Sequence, residues 1–115
     1  MAMSPKHKPL AWLHGAIQSP PFSAAARIET GFLLRQLQAG RKLGLPQSRP
    51  MPAIGKNCHE LRITDATASW RVFYAIEPVA IVILDVITKK TEKTPLAVLD
   101  SCGKRIAEFR RLSHE

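Results

Sequence analysis

Acidic residues are scarce in this chain of 115: nine Asp plus Glu stand against 17 Lys plus Arg, a formal net charge of +8. A field of that sign disfavours basic partners and favours polyanions such as nucleic acid. Cysteine is scarcer still. Cys58 and Cys102 offer neither a disulfide framework nor paired metal-ligand spacing, which points to a reducing, cytosolic compartment. His7, His14, His59 and His114 have no partner at ligand spacing, and HExxH and CxxC motifs are missing, so the pattern calls for no metal and no cofactor. A phosphate-binding glycine loop and a nucleophile elbow are missing too. No apolar run approaches the roughly 20 residues of a membrane helix; the longest, Val79 to Leu84, is strand-sized and ends at Asp85. The opening MAMSPKHKPLAWLHG lacks the apolar core of a signal peptide. The expectation is a cytoplasmic protein with no membrane partner.

What is present is a basic excess laid down unevenly. Between Glu29 and Glu60 lie Arg35, Arg41, Lys42, Arg49 and Lys56 and no acid. The length predicts one domain over 1–115, able to bury roughly 65% of its unfolded surface without staples.

Punctuation in the chain divides it into elements. Lys8 to His14 (KPLAWLH) reads as a short first strand closed by Gly15. After Ser19-Pro20-Pro21, Ser23 can cap a helix over Ala24–Ala39, with Gly40 as its stop. In that helix Ile28 and Phe32 fall on one side and Leu33, Leu34 and Leu37 on another, an apolar surface that either packs between layers or serves a partner. Three glycines and three prolines make residues 40–55 a long connection, read as a loop at the rim of the site. Cys58 to Ile63, Ser69 to Ile76 and Ala80 to Thr88 are β-type runs with short breaks, an antiparallel meander. Thr94-Pro95 then opens a helix to about Leu112. Leu99, Cys102, Ile106 and Phe109 form its packing stripe, and Lys104, Arg105, Arg110 and Arg111 its basic, solvated side. The fold class is therefore α+β: a small antiparallel sheet, a three-stranded meander plus a short N-terminal strand, flanked by helices.

The chemistry lies in charges placed inside strands. A turn near Ala66-Thr67 sets Arg62 opposite Arg71 and Glu60 opposite Phe73. Two guanidinium groups facing each other are destabilising unless an anion answers them. A second turn at Glu77-Pro78 sets Asp85 near Arg71, so ordinary cross-strand pairs of Arg71 with Asp85, and of Arg62 with Glu60 or Glu77, account for the same residues at ~0.2–1 kcal/mol each. If the anion is RNA, the 2′-OH supplies the nucleophile. The protein then has to provide a base, cations for the pentacovalent oxyanion and an acid for the leaving oxygen. Glu60, His59 or an activated Lys are candidate bases, Tyr74 a candidate proton donor, and Arg62, Arg71, Lys89 and Lys90 candidate phosphate ligands. By alternation His59 points away from Glu60 and Arg62. Trp70 and Tyr74 share the face opposite to Arg71, where they either pack in the core or stack on a base.

In four pieces, GFLLRQLQAG (31–40), RPMPAIGKNCHELRI (49–63), WRVFY (70–74) and KKTEKTP (89–95), the chain resembles the RelE/ParE toxin superfamily. It more closely resembles the phage-derived, HigB-like branch of toxins in type II toxin–antitoxin systems. The resemblance covers nearly the whole chain and implies a RelE-like fold and a ribosome-dependent mRNA endonuclease that uses no metal. The implied partners are the ribosome, mRNA and a neutralising antitoxin, often a helix-turn-helix protein. It also implies functional groups at Glu60, Arg62, Arg71, Tyr74, Lys89 and Lys90, and the expected site has Glu60, Arg62, Arg71, Lys89 and Lys90 as catalytic groups with Arg49, Lys56, His59, Tyr74 and Lys93 on the RNA. Ile87 stands where members commonly have Phe, which removes a base-stacking ring at that position. The superfamily also holds ParE-like gyrase poisons, so a non-enzymatic gyrase inhibitor or nucleic-acid-binding module is the alternative.

The charge excess makes one prediction by itself. If single-stranded RNA is bound through about six phosphates, the logarithm of the binding constant falls against the logarithm of salt concentration with a slope of about −4. A titration in which affinity is insensitive to salt removes the electrostatic basis of the reading.

Overall fold

A computed structural model describes residues 7–13, 22–66, 68–88 and 93–113. In chain order the elements are β1 (Leu10–Trp12), α1 (Ala24–Gln38), β2 (Ser48–Pro50), β3 (Cys58–Thr64), β4 (Ser69–Ile76), β5 (Ile81–Thr88) and α2 (Leu96–Ser113). The strands form one five-stranded mixed sheet in the order β1-β5-β4-β3-β2, with β1 parallel to β5 and every other neighbour antiparallel. The fold is thus α+β with two helices, and the sheet is larger than the three-plus-one strands expected. The added strand lies within the connection 40–55. Arg49 alternates with Ser48 and Pro50 across only three residues, and Pro50 can sit only where no ladder donor is required, at an edge. Such a short run flanked by prolines carries no strand signal of its own.

Both faces of the sheet are covered, which explains the nearly unbroken apolar run of β5. One face packs Trp70, Val72, Tyr74, Leu61, Ile63, Ile81 and Ile83 against Ala26, Leu33, Leu34 and Leu37 of α1. The other packs Cys58, Phe73, Ala75, Val82 and Leu84 against Cys102 and Ile106 of α2, with Met51 and Ile54 closing the margin. Fully burying side chains of this size stabilises by about 1.5–3 kcal/mol each. Of α1's two apolar sides only the leucine side is used; Ile28 and Phe32 are exposed.

Local chemistry sets the ends of α1. The Ser23 hydroxyl accepts from the Ala26 N–H at 3.1 Å, the cap read from sequence. At the other end the Gly40 N–H donates to the Leu37 carbonyl and the Arg41 N–H to the Gln36 carbonyl, a Schellman closure that needs the left-handed φ of 92° adopted by Gly40.

Register decides which charges meet. Arg62 faces Arg71 and Glu60 faces Phe73, as the first hairpin predicts. The second hairpin differs: Ile76 pairs with Ile81, and a bulge between Phe73 and Tyr74 leaves Leu84 as the extra residue. Asp85 consequently faces Phe73, and Arg71 faces Ile87. Because Phe73 and Arg71 share a face, Asp85 stands diagonally across from Arg71, and the inserted residue is what turns it onto that face.

The basic side of α2 is also corrected. Arg105 reaches back to the sheet, donating to the Leu84 carbonyl at 2.8 Å and lying 3.7 Å from Asp85. Arg110 donates to Glu77 at 2.8 Å and to the Lys56 carbonyl. These two arginines fasten the helix, while Lys104 and Arg111 remain exposed. Both cysteines are buried free thiols; burial, with the Asp85 charge added, pushes Cys102 up to about 12, so neither is a nucleophile near neutrality. Among the described residues no helix is long and apolar enough to cross a membrane.

The β3–β4 turn is tied to α1 through Asp65, whose carboxylate accepts from the Ser23 N–H at 3.0 Å. The hydrogen bonds from Ser23 hold the Asp65 carboxyl below its ordinary 3.8. Its contribution to stability is therefore complete above that value and is lost as pH falls through the lower folded one. Thermal melts of Asp65→Asn should be less stable than wild type near neutrality and converge with it under acid; parallel curves at every pH would show the contact to be idle.

Candidate functional site

Among the described residues Glu60 is the only charged one with 0% exposure, and three arginines hold it. Arg49 on β2, directly opposite, donates from Nε to Oε1 at 3.2 Å. Arg62, two residues along β3 and so on the same face, has its Nε 3.8 Å from Oε1. Arg71 on β4 approaches Oε2 at 3.6 Å. A carboxylate out of water is tolerable only when paired, and three guanidinium groups sharing one anion leave the cluster positive overall. The like-charge contact of Arg62 and Arg71 is thus answered first from inside the protein.

The arginines are not equally available. Arg71 is 11% exposed, against 35% for Arg62 and 39% for Arg49. Arg71 is also pinned by donation from Nη1 to the Ser69 hydroxyl at 2.7 Å and to the Trp70 carbonyl at 3.0 Å. A fork held this way has a fixed direction and loses little freedom on meeting an anion. Arg62 and Arg71 open onto a concavity of about 370 Å³ that Gln47, Thr64 and Ser69 complete, with Glu29 of α1 at its rim. Sequence reading passed over Thr64 and Ser69, although strand alternation puts both on the face of Arg62 and Arg71, and they face each other in register. Gln47 gave no signal; it arrives because its carbonyl accepts from the Arg62 N–H, continuing β2 past Ser48.

The remaining expected site residues that the structure describes are dispersed. Lys89 and Lys90 lie outside the described residues. Lys93 is exposed just before α2. Lys56 is exposed near the start of β3, its carbonyl occupied by Arg110. Glu60 is sealed beneath its arginines, so it holds them in place and does not reach solvent; a proton-abstracting base needs contact with the proton it takes. His59 and Tyr74 are on the opposite face, as alternation predicts, with their rings stacked at 5.3 Å and 19°. Tyr74 is buried and its hydroxyl lies 2.6 Å from that of Ser48; burial raises its pKa despite that bond. It is a core residue, as is Trp70, which meets Phe22 edge-on at 4.8 Å. Burial lowers the pKa of His59, so the imidazole is neutral near pH 7. Among the described residues no three His, Cys, Asp or Glu side chains converge as metal ligands.

The arrangement can receive an oxyanion at a fixed guanidinium fork beside a more mobile one, with two hydroxyls at hand. Residues 21–107 match the family model described as phage derived protein Gp49-like (DUF891), a family associated with toxin–antitoxin toxins of the RelE/ParE type. No curated protein matches the chain. The matched span takes in the whole arginine cluster and every strand except β1.

Stability reports on the cluster independently of any activity. Glu60→Ala leaves three arginines around a vacated anion and should cost about 3–5 kcal/mol in urea denaturation, whereas Arg49→Ala, removing a partly solvated partner, should cost about 1 kcal/mol or less. Equal and small losses from both substitutions would show that Glu60 is not the hub.

Proposed function

Because the chain belongs to the phage-derived Gp49-like family, whose toxin–antitoxin associates are often endoribonucleases, we propose that it is the toxin of a type II toxin–antitoxin system, of the HigB-like branch, that cuts mRNA on the ribosome. The observation that carries the reading is the facing pair Arg62 and Arg71, aimed by a fully buried Glu60 into a concavity lined with hydroxyls. A positive cluster that has already satisfied its internal anion still offers guanidinium donors, and a phosphodiester is the anion such forks fit best.

In the proposed reaction the RNA 2′-oxygen attacks the adjacent phosphorus, its proton passing to a base, and the bond to the 5′-oxygen breaks as that oxygen takes a proton. Charge on the pentacovalent phosphorane is held by Arg62 and Arg71, with Lys89 and Lys90 of the basic pair adding to the clamp. Glu60 acts through the arginines as a positioning residue. Arg49, Lys56 and Lys93 supply basic contacts along the strand of RNA. The chain works in the cytoplasm, where a helix-turn-helix antitoxin holds it inactive.

Preorganised donors aimed at developing charge are typically worth ~10²–10³-fold in rate. Arg71→Ala and Arg62→Ala should each slow ribosome-dependent mRNA cleavage, read by primer extension, by that order while leaving ribosome binding in place. A supercoiling assay runs beside it. Gyrase inhibition by the wild-type chain without mRNA cleavage would overturn the endonuclease and install the ParE-like reading, and unchanged cleavage by both variants would overturn the site.

A further inference from the structure

On the face of the sheet away from the arginine cluster, the α1–β2 connection overhangs the start of β3. Lys42, Leu43, Asn57, His59, Tyr74 and Ile76 line a hollow of about 310 Å³ there. Across Asn57 and His59 it adjoins a second hollow of about 250 Å³ that runs along the β2 edge past Lys56. We propose that this double hollow is a nucleobase subsite, in which a single-stranded RNA places one base against His59 and Asn57 with its phosphates between Lys42 and Lys56. The assignment rests on the RNA reading above for the identity of the polymer, and on the groove's own chemistry for the base.

The chemistry is that of a ring and an edge. His59 is held from one side by its stack on Tyr74, so its plane is fixed at little entropic cost to a ligand. Its ring nitrogens hydrogen-bond to no described residue and are not sealed from solvent, so both face the hollow open to a ligand. As a neutral imidazole it presents one donor and one acceptor. Asn57 adds an amide with both capacities, and its position is set by the backbone: it has φ of 60°, with its carbonyl accepting from the Ile76 N–H. Donor and acceptor side by side match the edge of a base, and Leu43 and Ile76 supply apolar surface for its ring. The cations are both exposed lysines on flexible stems, with no guanidinium fork among them. Such a groove gives a free phosphate little fixed geometry and a nucleotide a good deal.

Placement ties the two sites together. His59 and Arg62 are three residues apart on β3, about 10 Å along the strand and on opposite faces. Only the three-residue β2 separates that strand from the sheet's edge. An RNA strand crossing this narrow margin meets the arginines on one side and the His59 hollow on the other, so the groove would select the nucleotide near the cut while the arginines hold the phosphate.

NMR of the full chain tests this, following the His59 ring and Asn57 amide signals with adenosine and uridine 5′-monophosphates as probes and inorganic phosphate as the control. Nucleotides should shift both signals in the wild type and equally in Arg62→Ala, while phosphate leaves them in place. His59→Phe, which keeps the ring stack, and Asn57→Gly, which keeps the positive φ, should each weaken binding of a short single-stranded RNA about tenfold. Shifts produced as strongly by phosphate, no shifts with either nucleotide, or unchanged RNA binding in both variants would each overturn the subsite. Loss of cleavage activity in the wild type with nucleotide shifts intact would instead overturn the toxin reading and leave the subsite standing.

Discussion

A carboxylate with no access to water has to be neutralised by the protein, and the end of the sheet around Glu60 is arranged to do so. Arg49, Arg62 and Arg71 come from three adjacent strands and converge because Glu60 draws them. Their mutual repulsion would otherwise spread them, and the facing pair on β3 and β4 would weaken the hairpin that carries it. One buried anion thus converts a defect in strand pairing into a directed group of cations. The arginines differ in freedom, Arg71 being nearly enclosed and doubly hydrogen-bonded while Arg49 is partly solvated. A ligand oxyanion would therefore meet one rigid donor and one or two adaptable ones.

The same face shows why the cluster is reachable at all. Cys102 and Ile106 of α2 cover Phe73, Ala75, Val82 and Leu84, and Arg105 and Arg110 fasten the helix through Asp85 and Glu77. The next row of the sheet, Arg62, Arg71 and Ile87, lies beyond the Glu60, Phe73 and Asp85 row. Phe73 is wholly buried between the two acids, with Glu60 opposite it on β3 and Asp85 opposite it on β5.

Much of this was legible in the residues. The three long strands, both helices, the Ser23 cap, the Gly40 stop and the Arg62–Arg71 juxtaposition follow from alternation, helical spacing and turn chemistry, all of which act over a few neighbours. The faces of His59, Trp70 and Tyr74 follow from the same alternation. β2 was not legible, since three residues between prolines have no periodicity; it is a strand only because β3 offers it a free edge. The face taken by Asp85 is set by a bulge whose signal is a single extra residue, and no local pattern marks it. Arg105 and Arg110 read as solvated because a helix pattern shows which side is polar, and long side chains can still reach back across that boundary.

What the sequence alone determined is the class of the molecule: a basic α+β chain with guanidinium groups inside its strands and the pattern of the phage-derived Gp49-like family. Those properties are written in composition, spacing and local pattern. Tertiary structure alone decided that Glu60 is sealed and surrounded, that Arg49 joins it from an unforeseen strand, and that His59 looks into a hollow on the far side. Burial and convergence depend on what the rest of the chain places around a residue, and no window of sequence contains that.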